Sequence, residues 1–167
     1  FAFVGRLLAL CPATQPGLNV DPKNIPALTG FGMELFKTVN EEHTMQHPPL
    51  DITSVDLAEL YCPTDTPGCD YRNVVIFGNN MADRSPFGTG TSAKLATLHA
   101  RGKIGIGEPF VYESFIGSQF KGVIKETTKV GEFDAVIPMI TGSAYVTGES
   151  TYVIDPDDPL KYGFIVG

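Results

Sequence analysis

Leu28, Phe31, Leu35 and Val39 recur at spacings of 3, 4 and 4 within NIPALTGFGMELFKTVNEE, the repeat of one helix face. Asn24 can cap the start of that helix and Pro26 suits its first turn. The polar stretch EEHTMQHPPLD ends the pattern, and SVDLAELY (Ser54–Tyr61) alternates as a half-buried strand does. After the loop CPTDTPGCD, Val74, Val75, Ile76 and Phe77 are apolar on both faces. They predict a strand covered on both sides.

TSAKLATLHARG predicts a second helix, with Thr91 or Ser92 as its cap, Arg101 in its last turn and Gly102 as its stop. Its residues are small or apolar nearly all round, the mark of an enclosed helix. From Glu108 onward, EPFVYESF, FKGVIKETT, FDAVIPMI, GSAYVTG, TYVID and YGFIV read as strands between glycine turns. The pattern as a whole predicts an α+β fold, a curled sheet wrapped around a central helix. No repeat, low-complexity segment or linker divides residues 1–167, which read as a single domain.

Composition narrows the function. The 167 residues suffice for one core, and 18 glycines with 13 prolines favour short strands and many turns. A net charge of −7 argues against nucleic acid or an anionic membrane surface as partner. The apolar runs fall well short of the roughly 20 residues of a membrane span. FAFVGRLLALCPA has no basic stretch before it, so it does not read as a signal peptide. The chain opens on Phe1, and FAFV resembles the interior of a buried strand, so the sequence reads as a piece of a longer chain. The three cysteines are Cys11, Cys62 and Cys69. Cys62 and Cys69 flank a loop that a disulfide would close in an exported protein. The reading adopted is unpaired structural thiols in a reducing cytosol, with no zinc spacing.

The stretch DRSPFGTGTSAK (Asp83–Lys94) is where candidate chemistry concentrates. Glycines let a backbone approach a ligand, and the first N–H groups of a helix, with its dipole, hold an anion. GTGTSA matches the GxGxxA form of a dinucleotide fingerprint, but a long segment separates it from the preceding strand and no βαβ unit follows. Lys94 lacks the flanking residues of a phosphate-binding P-loop. Asp83 either caps a turn, with Arg84 paired to a surface carboxylate, or holds a cation beside the anion trap. The second choice describes an amino-acid site, since an amino acid carries both charges. His43 and His47, four residues apart, read as solvated loop histidines rather than metal ligands. His99 reads as a helix-end residue in favourable contact with the dipole.

RNVVIFGNNMADRSPFGTGTSAKLATLHARGKIGIGEPFVYES resembles the carboxyl-terminal half of the proline racemase family, which includes hydroxyproline epimerases. EEHTMQHPPL, SVDLAELY, IGSQFKGVIKETT, AVIPMITGSAYVTG and IDPDDPLKYGFIV resemble it too, so the likeness covers nearly the whole chain. It implies a diaminopimelate epimerase-like half: an antiparallel-rich curled sheet around a helix, facing an amino-terminal half that this sequence lacks. The family is a cofactor-independent isomerase. Two cysteines, one per half, remove and return the substrate α-proton from opposite faces, and no metal takes part.

On that resemblance Asp83 contacts the substrate amine, the Gly88 and Thr89 N–H groups hold the carboxylate, and Phe77 forms a wall of the pocket. The family's second catalytic cysteine falls at Phe87, whose ring can neither take nor give a proton and is expected to fill the substrate's place. The chain alone is therefore expected to be inactive. Two alternatives stand beside this reading: a non-catalytic binding protein that keeps the fold, and half of a hydroxyproline dehydratase, which uses only the first cysteine. The partners implied are a proline- or hydroxyproline-like small molecule, the absent half and, as a further option, a second copy in a homodimer. The localisation implied is cytoplasmic.

Overall fold

Val74, Val75 and Ile76 are fully buried, and the reason is what lies on each side of them. They belong to β4 (Tyr71–Phe77), near the middle of a curled eight-stranded sheet in the computed structural model, which describes residues 1–48 and 50–165. The other strands are β1 (Ala2–Phe3), β2 (Leu7–Pro12), β3 (Val55–Pro63), β5 (Met81–Ala82), β6 (Phe110–Ser114), β7 (Gln119–Val130) and β8 (Phe133–Thr141). The helices are α1 (Ile25–Glu42) and α2 (Gly88–Ala100). The strand order is β1-β2-β3-β4-β6-β7-β8, with β5 folded back on β4. β2–β3 and β4–β6 are parallel and the other pairs antiparallel. Each parallel step contains a helix, because parallel neighbours need a crossover.

The two-residue period of β4 divides its side chains between the helices. Val74 and Ile76 join Leu28, Ala58 and Leu60 under α1. Val75 joins Leu8, Leu57 and Ala93 of α2. α2 touches β1 and β8, the two edges of the sheet, as well as β2 and β7. The sheet thus curls around α2 while α1 covers its outer face. Leu95 and Leu98 complete the inner core with Phe110, Tyr112 and Ile124. At Gly32 the outer helix comes so close that a Cβ would stand 2.8 Å from Ile76 Cβ.

Several expectations need correction. Asn24 makes no side-chain cap; its backbone is already helical, so its amide is turned away and donates to the Asn19 carbonyl. A 3-10 turn, Pro22–Asn24, precedes α1 and is capped by Asp21. α2 begins at Gly88, ahead of Thr91 and Ser92. Those hydroxyls bond back to the carbonyls of Phe87 (2.9 Å) and Gly88 (2.8 Å) instead of capping. Gly102, at φ +65°, ends the helix as expected.

GSAYVTG, TYVID and YGFIV form no strands among the described residues, and Tyr145, Val146, Tyr152, Val153 and Ile165 are exposed. A strand exists only by pairing, and this segment has left the sheet at Thr141 with no strand partner beside it among the described residues. His47 is not solvated: it is buried, with its ring centroid 3.8 Å from that of Phe3. His43 stands exposed at the end of α1 against Phe1, so the two histidines do not share a site.

All three cysteines are free, and burial raises the Cys11 and Cys69 thiols above their ordinary value. The loop between Cys62 and Cys69 is held by Glu113, which accepts from Thr64 (2.9 Å), Thr66 (3.0 Å) and Arg72 (2.9 Å). Among the described residues no helix is long and apolar enough to cross a membrane.

Candidate active site at the entry of the central helix

Beyond Phe77 the chain reverses through Gly78 and Asn80, both at positive φ, and β5 pairs back on Ile76 and Phe77. The Asp83 N–H still bonds the Val75 carbonyl at 2.9 Å, so Asp83 is fixed beside the end of β4. Its Oδ1 accepts from the Ser85 N–H (2.7 Å) and hydroxyl (2.6 Å). The Ser85 hydroxyl oxygen in turn accepts from the Phe87 N–H (3.1 Å). This is a side-chain-built turn of the kind aspartate and serine favour. Asp83 does cap a turn, while Arg84 is exposed and makes no ion pair among the described residues.

Pro86 is buried, and its carbonyl accepts from Asn73 Nδ2 at 2.8 Å. Phe87 then adopts φ 65°, ψ 112°, a conformation uncommon for any residue but glycine and typical of functional turns. That rotation sets the chain into α2 at Gly88. The first helical bond runs from the Thr91 N–H to the Phe87 carbonyl, 2.8 Å. The N–H groups of Gly88 and Thr89 precede it and have no partner within the helix. They stand at the positive end of the helix dipole, a position that favours an anion.

The Phe87 ring is half-buried. It stacks on Phe77, centroids 6.4 Å apart, and both rings rest on the cluster of Leu8, Leu57, Val75 and Ala93. Phe77, Asp83, Phe87, Gly88 and Thr89 therefore meet where β4, the turn and α2 join.

Beneath them lies a polar group that the sequence pattern hid. Glu59 on β3 is fully buried and accepts from the Tyr112 hydroxyl at 2.6 Å. Burial pushes its carboxyl up to about 7, against the opposing pull of Tyr112, Lys94 and Asn73. Lys94 is also buried, its Nζ 2.9 Å from the ring centroid of Tyr61 and 4.3 Å from that of Tyr71. Burial lowers its ammonium to about 7. A charged residue inside an apolar strand, as Glu59 is in SVDLAELY, was the available signal. His99 sits in the last turn of α2 and pins the following loop through Nδ1 to the Ile104 carbonyl, 2.9 Å.

A mixed curled sheet around one enclosed helix, with a glycine-rich entry to that helix beside a fixed aspartate, is the half-barrel of the diaminopimelate epimerase-like α+β class. Within that class, the chain belongs to the proline racemase family, whose family model matches residues 1–165. It is 54% identical over 166 residues to a proline racemase of Clostridioides difficile, covering 99% of this chain and 50% of that protein. A trans-3-hydroxy-L-proline dehydratase of Bacillus thuringiensis subsp. konkukian is 36% identical over 168 residues, covering 99% and 50%. The crystal structure of a hydroxyproline epimerase from Agrobacterium vitis with bound trans-4-hydroxy-L-proline superposes with a TM-score of 0.81 at 37% identity, over 97% of this chain and 46% of that one. The chain spans about half the length of these relatives.

Proposed function

We propose that this chain is the carboxyl-terminal half of a proline racemase-type isomerase acting on proline or a hydroxyproline, and that Phe87 leaves this half unable to transfer the α-proton. The supporting observation is the convergence at the start of α2. Asp83 has Oδ1 engaged by Ser85 and Oδ2 available to a substrate ammonium. The Gly88 and Thr89 N–H groups suit the carboxylate, and Phe77 offers an apolar wall to a pyrrolidine ring. In the two-thiol reaction one thiolate removes the α-proton while the opposite thiol protonates the other face. In this reading Phe87 takes the place from which this half would bring its thiol to the substrate α-carbon. Phenyl offers no exchangeable proton, so binding groups remain without the group that acts on the α-carbon. The other half supplies the second face of the pocket, and the site works in the cytoplasm without a cofactor.

The test is an assembly of this chain with the amino-terminal half of the Clostridioides difficile relative, fused or supplied in trans. Incubated with L-proline in heavy water, Phe87→Cys should exchange the α-proton, followed by loss of its NMR signal, and the Phe87 form should not. Equal exchange by both forms, or none by either in a folded assembly, would end this reading.

A second reading is favoured by the absence of a thiol at position 87 and by the dehydratase relative: a one-thiol elimination from a hydroxyproline. The Phe87 assembly would then release water from trans-3-hydroxy-L-proline, giving an enamine that tautomerises to the cyclic imine, detected as 1-pyrroline-2-carboxylate, while leaving proline untouched.

A further inference from the structure

Glu59 has no role in the reading above, yet it is the most deeply placed charge-bearing group near the site. Its Oε1 is bonded to Tyr112, while Oε2 is buried without a hydrogen-bond partner. That unpartnered oxygen is aimed at the first turn of α2: a Cβ on Gly90 would stand 2.6 Å from it. Gly90 lies directly after Gly88 and Thr89, the residues whose N–H groups form the carboxylate trap. The Asn73 amide lies beside Glu59 and donates to the Pro86 carbonyl, just ahead of Phe87. The carboxyl group thus reaches the trap by two routes, directly under Gly90 and through the Pro86 peptide.

We infer that Glu59 is a charge-tuning positioning residue: its protonation state, beneath Gly90, sets how strongly the Gly88 and Thr89 N–H groups hold an anion. This rests on the proposed reading of those N–H groups as a carboxylate trap. An ionised Glu59 competes with the ligand carboxylate for the positive end of the same helix, in a setting that screens charge poorly. A neutral Glu59 leaves that end to the ligand.

Titratable and charged groups on several neighbouring elements surround Glu59. Lys94 faces it from α2, with Arg101 and Lys103 beyond the end of that helix acting on Lys94. Tyr61 and Cys62 lie on the same strand, Tyr71 on β4, Tyr112 on β6, and Cys11 on β2 acts on Tyr61. No ion pair joins Glu59 to Lys94, whose Nζ lies over the tyrosine rings. As pH rises, protons leave Glu59 and Lys94, whose folded values lie close together. Each loss makes the space under the helix more negative. The sign is therefore the same whichever group releases first: anion affinity falls with rising pH.

The experiment is an NMR titration of the whole chain between about pH 6 and 8.5, first without ligand and then with acetate as the probe. The Glu59 side-chain carboxyl carbon and the Gly88, Thr89 and Gly90 amides should move with a shared midpoint. Acetate affinity at Gly88 and Thr89 should drop on the order of fivefold across it. Glu59→Gln should remove the part of the titration and of the drop that follows the Glu59 carboxyl, leaving only the smaller response of Lys94. Tyr112→Phe removes a hydrogen bond that favours the carboxylate, so it should keep the fold and move the midpoint upward. Amides that do not follow the Glu59 carboxyl, or a Glu59→Gln chain that keeps the full drop in acetate affinity, overturn the inference. Acetate bound with pH-independent affinity overturns this inference alone. No acetate response at Gly88 and Thr89 at any pH removes the trap itself, and the proposed function with it.

Discussion

The ring of Phe87 lies on the ring of Phe77, centroids 6.4 Å apart and planes 26° from parallel. The stack joins the end of β4 to the start of α2, across the turn that Asp83 builds. Phe87→Cys should give up part of that packing and lower stability by about 1–2 kcal/mol, since the ring is only half-buried. The same substitution frees a ring's volume beside Gly88. In the assembly with an amino-terminal half, pyrrole-2-carboxylate, a flat analogue of the planar carbanion, should bind the Phe87→Cys form more tightly than the Phe87 form by calorimetry. Equal affinity would place the Phe87 ring outside the ligand's path.

Two glycines on α1 should respond oppositely to alanine. At Gly32 a Cβ would stand 2.8 Å from Ile76 Cβ and Cγ1, so Gly32→Ala should push helix from sheet and cost about 1–3 kcal/mol. At Gly30 nothing lies within 4 Å. Gly30→Ala should stabilise by about 0.5–1 kcal/mol through helix propensity alone. Urea unfolding of the two variants measures both signs.

Glu113 gives the protein an acid-sensitive anchor. Burial raises its carboxyl, but the hydrogen bonds from Arg72, Thr64 and Thr66 outweigh this and hold it below its ordinary value. The unfolded chain therefore binds the proton more readily than the folded one. The contribution is complete above the ordinary carboxylate range and is lost as pH falls through the folded value. Glu113→Gln should cost about 1.5–3 kcal/mol near neutral pH. It should also shrink the difference in urea midpoint between pH 7 and pH 3.5; an unchanged difference would show that Glu113 does not carry the acid response.

The segment after Thr141 exposes Tyr145, Val146, Tyr152, Val153 and Ile165 without pairing them to the sheet. Exposed apolar surface of this extent marks an interface. Removing residues 142–167 should leave the unfolding midpoint nearly unchanged and reduce concentration-dependent self-association in sedimentation. A large loss of stability would mean that this segment packs on the half-barrel.

Elements whose partners are local could be read along the chain. The 3.6-residue repeat of Leu28, Phe31, Leu35 and Val39 marked α1. The two-sided apolar run of β4 required cover on both faces. The small, apolar outline of α2 required enclosure. The DRSPFGTGTSAK motif brought Asp83, Phe87, Gly88 and Thr89 within a few residues of one another, so most of the candidate site was legible along the chain.

What crosses the sheet came from the packing of distant segments against one another. Glu59, Asn73, Lys94 and Tyr112 lie on β3, β4, α2 and β6, and nothing in their spacing joins them. The curl of the sheet closes them around one point, and burial there brings a carboxyl and an ammonium close to neutrality. The helix start moved from Thr91 to Gly88 because a positive φ at Phe87 and burial under the sheet outweighed the low helix propensity of two glycines. GSAYVTG, TYVID and YGFIV had the composition of strands. They form none here because a strand is defined by the neighbour it bonds, and composition cannot supply that neighbour.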